Sequence, residues 1–104
     1  MNKIVKLLDN DALNGTSFFG ATILASANDL SEKLGIEPEP YGGDKTTFEF
    51  YLKLNDGTPF SIYDWKEYRI GRDTQVHYHI GTRNREETEK VCEILREYGF
   101  FVRL

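Results

Sequence analysis

Residues 46–66 carry the pattern that most constrains this fold, because apolar and polar side chains alternate along two segments joined by a tight turn. Such alternation predicts a strand over residues 46–54 with one face in the core. The side chains expected on that core face are Thr46, Phe48, Phe50, Leu52 and Leu54. The turn reads Asn-Asp-Gly at 55–57, and Asp-Gly tolerates the positive φ angles of a hairpin. We therefore predict a β-hairpin whose return strand covers residues 58–66.

Other segments of strand length lie on both sides of this hairpin. Apolar or alternating runs predict strands at residues 18–25 and 75–80, and Gly20 indicates a bulge or a close contact in the first of them. The end segments 3–8 and 100–104 are short enough to be either additional strands or packed tails. The hairpin and the 75–80 strand together predict an antiparallel meander.

Two helices are predicted from their capping signals. A Ser-x-x-Asp pattern at 26–29 opens a short helix that Gly35 ends, and Asn-x-x-Glu at 84–87 opens a longer one that Gly99 ends. A sheet that buries one apolar face needs a covering layer, and the two amphipathic helices can supply it. The predicted fold is α+β, a single domain over residues 1–104, with an antiparallel sheet of three to five strands and both helices packed on one face.

Charge and cysteine content exclude several classes of protein. The net charge is −4, from 13 Lys and Arg against 17 Asp and Glu, and no basic cluster is present, which argues against general nucleic-acid binding. The single cysteine, Cys92, excludes an internal disulfide and a cysteine-based zinc site, and its place in a helix predicts a buried thiol. No signal peptide or membrane span is visible. We expect a cytoplasmic protein, in the host cytoplasm if a phage encodes it.

The sheet face turned away from the helices is predicted to carry an unusual set of side chains. They are Glu49, Tyr51, Lys53, Ser61, Tyr63, Trp65, His77 and His79. Aromatic rings with a polar tip are frequent anchors of binding surfaces. The structural alternative is that a second copy of the chain, a loop or the N-terminal segment covers this face.

Catalytic and metal chemistry have weaker support. His77 and His79 point the same way on a strand, but a metal site needs a third ligand, and Asp64 falls on the opposite face by parity. An acid–base pair of a histidine with Glu49 is conceivable, although carboxylates are common enough to produce it by coincidence. The sequence Gly-Gly-Asp-Lys at 42–45 lacks the spacing of a phosphate-binding loop. We expect neither enzymatic activity nor a metal or cofactor.

Three spaced segments resemble a group of small, uncharacterised bacteriophage-encoded proteins. These segments are DGT at 56–58, IYDWK at 62–66 and HIG at 79–81. The resemblance covers about residues 16–98. Tyr78 stands where the group has tryptophan, and Thr82 where it has a second glycine. The resemblance implies a phage or prophage origin and says nothing about chemistry.

These observations lead to a hypothesis about function. We expect a noncatalytic phage-type accessory protein that binds and inhibits a host or antiviral-defence protein through the aromatic sheet face. The predicted binding residues are Tyr51, Tyr63, Trp65, Lys66, His77 and His79. One alternative is a sponge for a small nucleotide signalling ligand, with rings stacking on the base and Lys66 holding phosphate. Another is a virion structural or assembly protein that uses this face to form a homo-oligomer.

Overall fold

Six antiparallel strands in the described part of the chain form one sheet, with the spatial order β1-β3-β4-β5-β2-β6. The structure is a computed structural model and describes residues 3–40 and 42–104. The strands are β1 (Ile4–Lys6), β2 (Ser17–Ala25), β3 (Glu49–Leu54), β4 (Pro59–Tyr63), β5 (Val76–Thr82) and β6 (Phe101–Arg103). The helices are α1 (Ala27–Leu34) and α2 (Arg85–Glu97), and a 3-10 helix covers Asn10–Leu13.

The predicted α+β class is confirmed, with six strands instead of three to five. The difference arises at the two ends of the chain, where β1 pairs with β3 and β6 pairs with β2. Each of these edge strands has only three residues, too few for their local pattern to separate a strand from a packed tail. They become strands because their neighbours offer a free edge to pair with.

One apolar core lies between the sheet and the two helices. The alternation of β3 places Phe50, Leu52 and Leu54 in it, and Phe60 and Ile62 continue the same face on β4. The helices contribute a buried stripe each, namely Leu30 and Leu34 from α1 and Val91, Cys92 and Leu95 from α2. The predicted core face is therefore confirmed from Phe50 onward, with Phe48 packed against the core but only partly buried, and the opposite sheet face lies away from the helices. The prediction was wrong for Thr46, whose hydroxyl donates to the Glu49 carboxylate on the opposite face.

The helix ends are held by the predicted caps. The Ser26 hydroxyl accepts from the Asp29 amide at 3.1 Å while the Asp29 carboxylate accepts from the Ser26 amide at 3.2 Å, which is a complete capping box. Gly35 ends α1 with a φ of 69°, a left-handed conformation that glycine adopts without strain. The Asn84 side chain accepts from the Glu87 amide at 2.8 Å and opens α2.

The hairpin strands are shorter than predicted, and Asp64 is the reason. β3 begins at Glu49 instead of residue 46, and β4 ends at Tyr63 instead of residue 66. The Asp64 side chain is fully buried, and its Oδ1 accepts from the amides of Thr47 and Phe48 at 2.7 Å each. Because the Thr47 and Phe48 amides donate to this side chain, they are not free for hydrogen bonds to a neighbouring strand, and residues 46–48 lie outside β3.

The strand predicted at 75–80 extends further, to Thr82. Gly81 does not end it but pairs with Phe18 on β2, and the β2–β5 register then shifts between Phe18 and Thr22. Gly20, with a φ of 95°, lies inside that shift. The bulge predicted at Gly20 is therefore confirmed, and it allows β2 to follow β5 beyond the irregular point.

No helix within the described ranges has the length and apolar character needed to cross a membrane. Cys92 lies in the core, as predicted, and burial raises the pKa of its thiol. A thiol held in its neutral form is a poor nucleophile, so Cys92 serves as a small apolar core residue.

Candidate functional site

Four rings meet on the sheet face opposite the helices and form what we call the aromatic cluster: Phe18, Tyr63, Trp65 and His79. The His79 ring stacks on Phe18 with centroids 3.9 Å apart and an interplanar angle of 15°. Tyr63 lies 5.6 Å from His79 and 6.2 Å from Trp65, the latter edge to face, and Trp65 lies 6.3 Å from His79. Phe18 and Trp65 remain 42% and 43% exposed, so the cluster presents ring surface to solvent.

Strand pairing explains why these rings meet. Tyr63 on β4 is directly opposite His79 on β5, and Phe18 on β2 is opposite Gly81. A Cβ at Gly81 would lie 2.8 Å from the Ser61 hydroxyl and 3.4 Å from the Tyr63 ring. Gly81 therefore leaves room for the Tyr63 ring and the Ser61 hydroxyl beside β5.

Two lysines border the aromatic cluster at Trp65. The ammonium groups of Lys45 and Lys66 lie 5.9 and 5.8 Å from the centroid of the Trp65 ring, within the range of cation–π attraction. The Lys66 amide donates to the Lys45 carbonyl at 2.8 Å, which joins the loop before β3 to the loop after β4. No salt bridge among the described residues involves either lysine.

The loop that follows Trp65 has an unusual backbone. Lys66, Tyr68 and Arg69 have φ angles of 58°, 43° and 58°, in the left-handed region that side chains other than glycine and asparagine rarely adopt. Each such residue costs about 1 kcal/mol or more, and strained residues of this kind concentrate at functional sites. Lys66, the first of these three residues, is one of the two lysines beside the Trp65 ring.

A cleft of about 350 Å³ adjoins the aromatic cluster. Nine residues line it: Asn10, Leu13 and Thr16 around the 3-10 helix, Glu49 and Tyr51 on β3 with Thr46 just before it, and Ser61 and Tyr63 on β4 with Trp65 just after it. The only formally charged member of this set is Glu49. We refer to this feature as the Glu49 cleft.

Hydroxyl groups orient the carboxylate of the Glu49 cleft. The Tyr51 hydroxyl donates to Oε1 at 2.7 Å, and the Thr46 hydroxyl donates to Oε2 at 2.5 Å. Loss of its proton would break the Tyr51 bond, so this bond, together with burial, raises the pKa of Tyr51 to about 12. Burial, with the Glu49 charge second, also raises the pKa of Tyr63. The carboxylate is thus held between the hydroxyl groups of Tyr51 and Thr46.

His79 is the titratable ring at the centre of the aromatic cluster. Burial lowers its pKa, because the stacked rings exclude the water that would solvate an imidazolium, and the Glu67 charge opposes this shift only in part. Among the described residues no hydrogen bond joins the His79 side chain to a carboxylate.

Five of the six predicted binding residues lie together and one does not. Tyr63, Trp65 and His79 belong to the aromatic cluster, Lys66 borders it, and Tyr51 lines the adjoining cleft. His77 lies further along β5, at a smaller cleft of about 170 Å³ that includes Leu24 and Phe101. Within the described ranges, no group of three or more His, Cys, Asp or Glu side chains could hold a metal ion.

Three contributors to the site were not predicted as binding residues: Phe18, Lys45 and Glu49. Phe18 lies in a segment predicted as a strand, but its position over His79 depends on the β2–β5 pairing and the bulge. Lys45 comes to Trp65 because the loops before β3 and after β4 are hydrogen-bonded. Glu49 was predicted on the correct face, and its alternation with Phe48 and Phe50 was the available signal.

No protein-family model, no curated protein and no solved structure matches the chain. The fold and the site define an α+β domain whose aromatic sheet face is free of both helices and adjoins the segment around the 3-10 helix.

Proposed function

We propose that the chain is a noncatalytic binding module that binds and inhibits a host or antiviral-defence protein through the aromatic cluster. The observation that carries the proposal is the set of four rings, two of them (Phe18 and Trp65) about two-fifths exposed, on a sheet face that neither helix covers. The bacteriophage resemblance of the three sequence motifs supplies the biological setting. Binding alone would inhibit the partner if it covered a surface that the partner needs for its own activity.

The arrangement has the properties of a protein-binding hot spot. Tryptophan and tyrosine dominate such sites because they bury large rigid surfaces and lose little conformational entropy. Trp65 is held by contacts with Tyr63 and His79 before any partner binds, so little ordering remains to oppose binding. The lysines beside Trp65 provide a polar rim.

In vivo photo-crosslinking tests this proposal. A benzophenone side chain is placed at Thr22, which pairs with His79 on the aromatic face, and in a matched control at Glu89, which is exposed on α2. We expect a defined crosslinked partner from position 22 and none from position 89. The partner, once purified, should lose binding to a Tyr63→Ala/Trp65→Ala variant.

Equal crosslinking from both positions, or wild-type affinity of the double variant, would contradict the proposed site. Light scattering on the isolated chain supplies a further control. A stable homo-oligomer in which Trp65 emission is blue-shifted and protected from a neutral quencher would instead favour a virion assembly protein.

A second candidate function has one specific observation in its favour. Lys45 and Lys66 both place an ammonium group near Trp65, so a nucleotide could stack its base on the aromatic cluster while the lysines hold its phosphate. A thermal-shift screen against cyclic dinucleotides and nicotinamide-derived compounds tests this sponge hypothesis, because a tight ligand must raise Tm by mass action. An unchanged Tm at saturating concentrations of these ligands would contradict the sponge hypothesis.

A further inference from the structure

We propose that the Glu49 cleft receives an arginine side chain of the protein partner. This inference rests on the proposed function, since it names the chemistry that the partner presents beside the aromatic cluster. The cleft shares Tyr63 and Trp65 with the aromatic cluster, but Glu49 and Tyr51 belong to the cleft alone, and substitutions of these two residues test it separately.

The charge of the cleft selects a cation. Glu49 is the only charged residue among the nine that line it, and the others carry hydroxyl, amide, aromatic or aliphatic groups. Lys45 and Lys66 lie beside the Trp65 ring but are not part of the lining, so neither fills the cleft. An anionic ligand would therefore meet a carboxylate with no cation in the lining to offset it.

The carboxylate is prepared for a ligand with several donors. Each oxygen of Glu49 accepts one hydroxyl hydrogen bond, from Tyr51 and from Thr46, and retains capacity for another. The two hydroxyls also fix the carboxylate plane, so a partner group meets an acceptor that needs no reorganisation. A guanidinium can donate to both oxygens at once, whereas an ammonium group acts as a point charge.

The walls of the cleft suit the flat face of a guanidinium. The side chains of Tyr51 and Tyr63 flank Glu49, one two residues along β3 and the other directly opposite on β4. Guanidinium groups stack on aromatic rings and are more weakly hydrated than ammonium groups. A volume of about 350 Å³ lies at the lower end of small-ligand pockets, which is sufficient for one side chain.

The experiment uses small probes on the complete chain. Nα-acetyl-arginine methylamide is titrated to about 50 mM while amide NMR shifts of residues along β3 and β4 are followed, a range that reveals affinities weaker than millimolar. The citrulline equivalent is the matched probe, since it has nearly the same shape and no charge. The matched variants are Glu49→Gln and Glu67→Gln, of which the second removes an exposed carboxylate outside the cleft.

We expect saturable shifts at Glu49, Tyr51 and Ser61 with the arginine probe and at least about tenfold weaker binding with citrulline. Glu49→Gln should weaken the arginine probe to a similar extent, and Glu67→Gln should leave it unchanged. The citrulline comparison uses the wild-type chain, so it remains decisive if Glu49→Gln does not fold.

Equal binding of the two probes would overturn the inference, as would an unaltered affinity in folded Glu49→Gln. Adenosine monophosphate that shifts the cleft residues more strongly than the arginine probe would also overturn it. None of these results affects the proposed function, which is read from the Tyr63→Ala/Trp65→Ala variant and the crosslinked partner. Conversely, loss of that partner's binding in the double variant but not in Glu49→Gln would retain the aromatic site and reject the arginine cleft.

Discussion

Asp64 provides the sharpest test of how the site is supported. Its side chain is fully buried immediately before Trp65, and one carboxylate oxygen accepts from the amides of Thr47 and Phe48 at 2.7 Å each. These bonds tie the segment before β3 to the end of β4. Asp64→Ala removes both at once and leaves the two amides without that acceptor.

The magnitude follows from the number and type of these bonds. A hydrogen bond to a charged group contributes about 1.5–3 kcal/mol, so two give an upper limit of about 6 kcal/mol. Removal of the carboxylate also removes the cost of its burial, which is appreciable because its second oxygen has no hydrogen-bond partner among the described residues. We expect a net loss of about 3 kcal/mol, a large part of the roughly 5–15 kcal/mol that stabilises a typical domain.

Urea unfolding followed by Trp65 fluorescence measures this loss as a lower midpoint at an unchanged slope. The same loss lowers Tm by about 15 °C for a domain near 100 residues. Asp64→Asn is the matched control, since it keeps an oxygen acceptor of the same shape and should lose only about 1 kcal/mol. An alanine variant within about 0.5 kcal/mol of wild type would refute the reasoning, because the two amides would then have no need of Asp64.

Three further predictions concern the titratable rings. Tyr78→Phe should stabilise the fold by about 1 kcal/mol, because the buried Tyr78 hydroxyl has no hydrogen-bond partner among the described residues; Tyr98→Phe is the control and should destabilise it in the same urea assay, because the Tyr98 hydroxyl accepts two amides at 3.0 Å. Burial lowers the pKa of His79 below 6.5, so the stability that neutral His79 contributes is present above about pH 6.5 and is lost as the pH falls. His79→Phe should therefore reduce the pH dependence of the free energy of unfolding between about pH 7 and 5. A pH dependence identical to wild type would contradict the lowered pKa. The Tyr51 pKa of about 12 implies stability that is present below pH 10 and lost as the pH rises through 12. In an ultraviolet titration, Glu49→Gln should return the pKa of Tyr51 toward 10. A titration curve identical to wild type would show that Glu49 does not raise the pKa of Tyr51.

The local patterns that predicted the fold are those in which neighbouring residues supply the physical cause. Alternation along residues 46–54 assigned the core face of β3 because side chains of a strand point to opposite faces in turn. The capping box at Ser26 and the Asp-Gly turn at 56–57 are likewise complete within a few residues. For the same reason Tyr63 and His79 could be placed on the outer face before their strands were known to pair.

The strand ends and the edges of the sheet could not be predicted in this way. Residues 46–48 have good strand alternation, but Asp64, distant in sequence, takes their amides. Gly81 looks like a terminator, yet β5 continues through it because Gly81 pairs with Phe18 on β2 and with Ser61 on β4. In both cases a contact between distant segments outweighs the local preference.

The site shows the same division between local and non-local causes. By itself the sequence determined which residue types face away from the core, and hence the presence of aromatic rings on the outer face. Only the tertiary structure decided that Phe18 covers His79, that Lys45 joins Lys66 at Trp65, and that Glu49 lies in a cleft beside the 3-10 helix. Side-chain direction depends on the period of one strand, whereas proximity depends on the order and register of strands, and these are set by how the whole core packs.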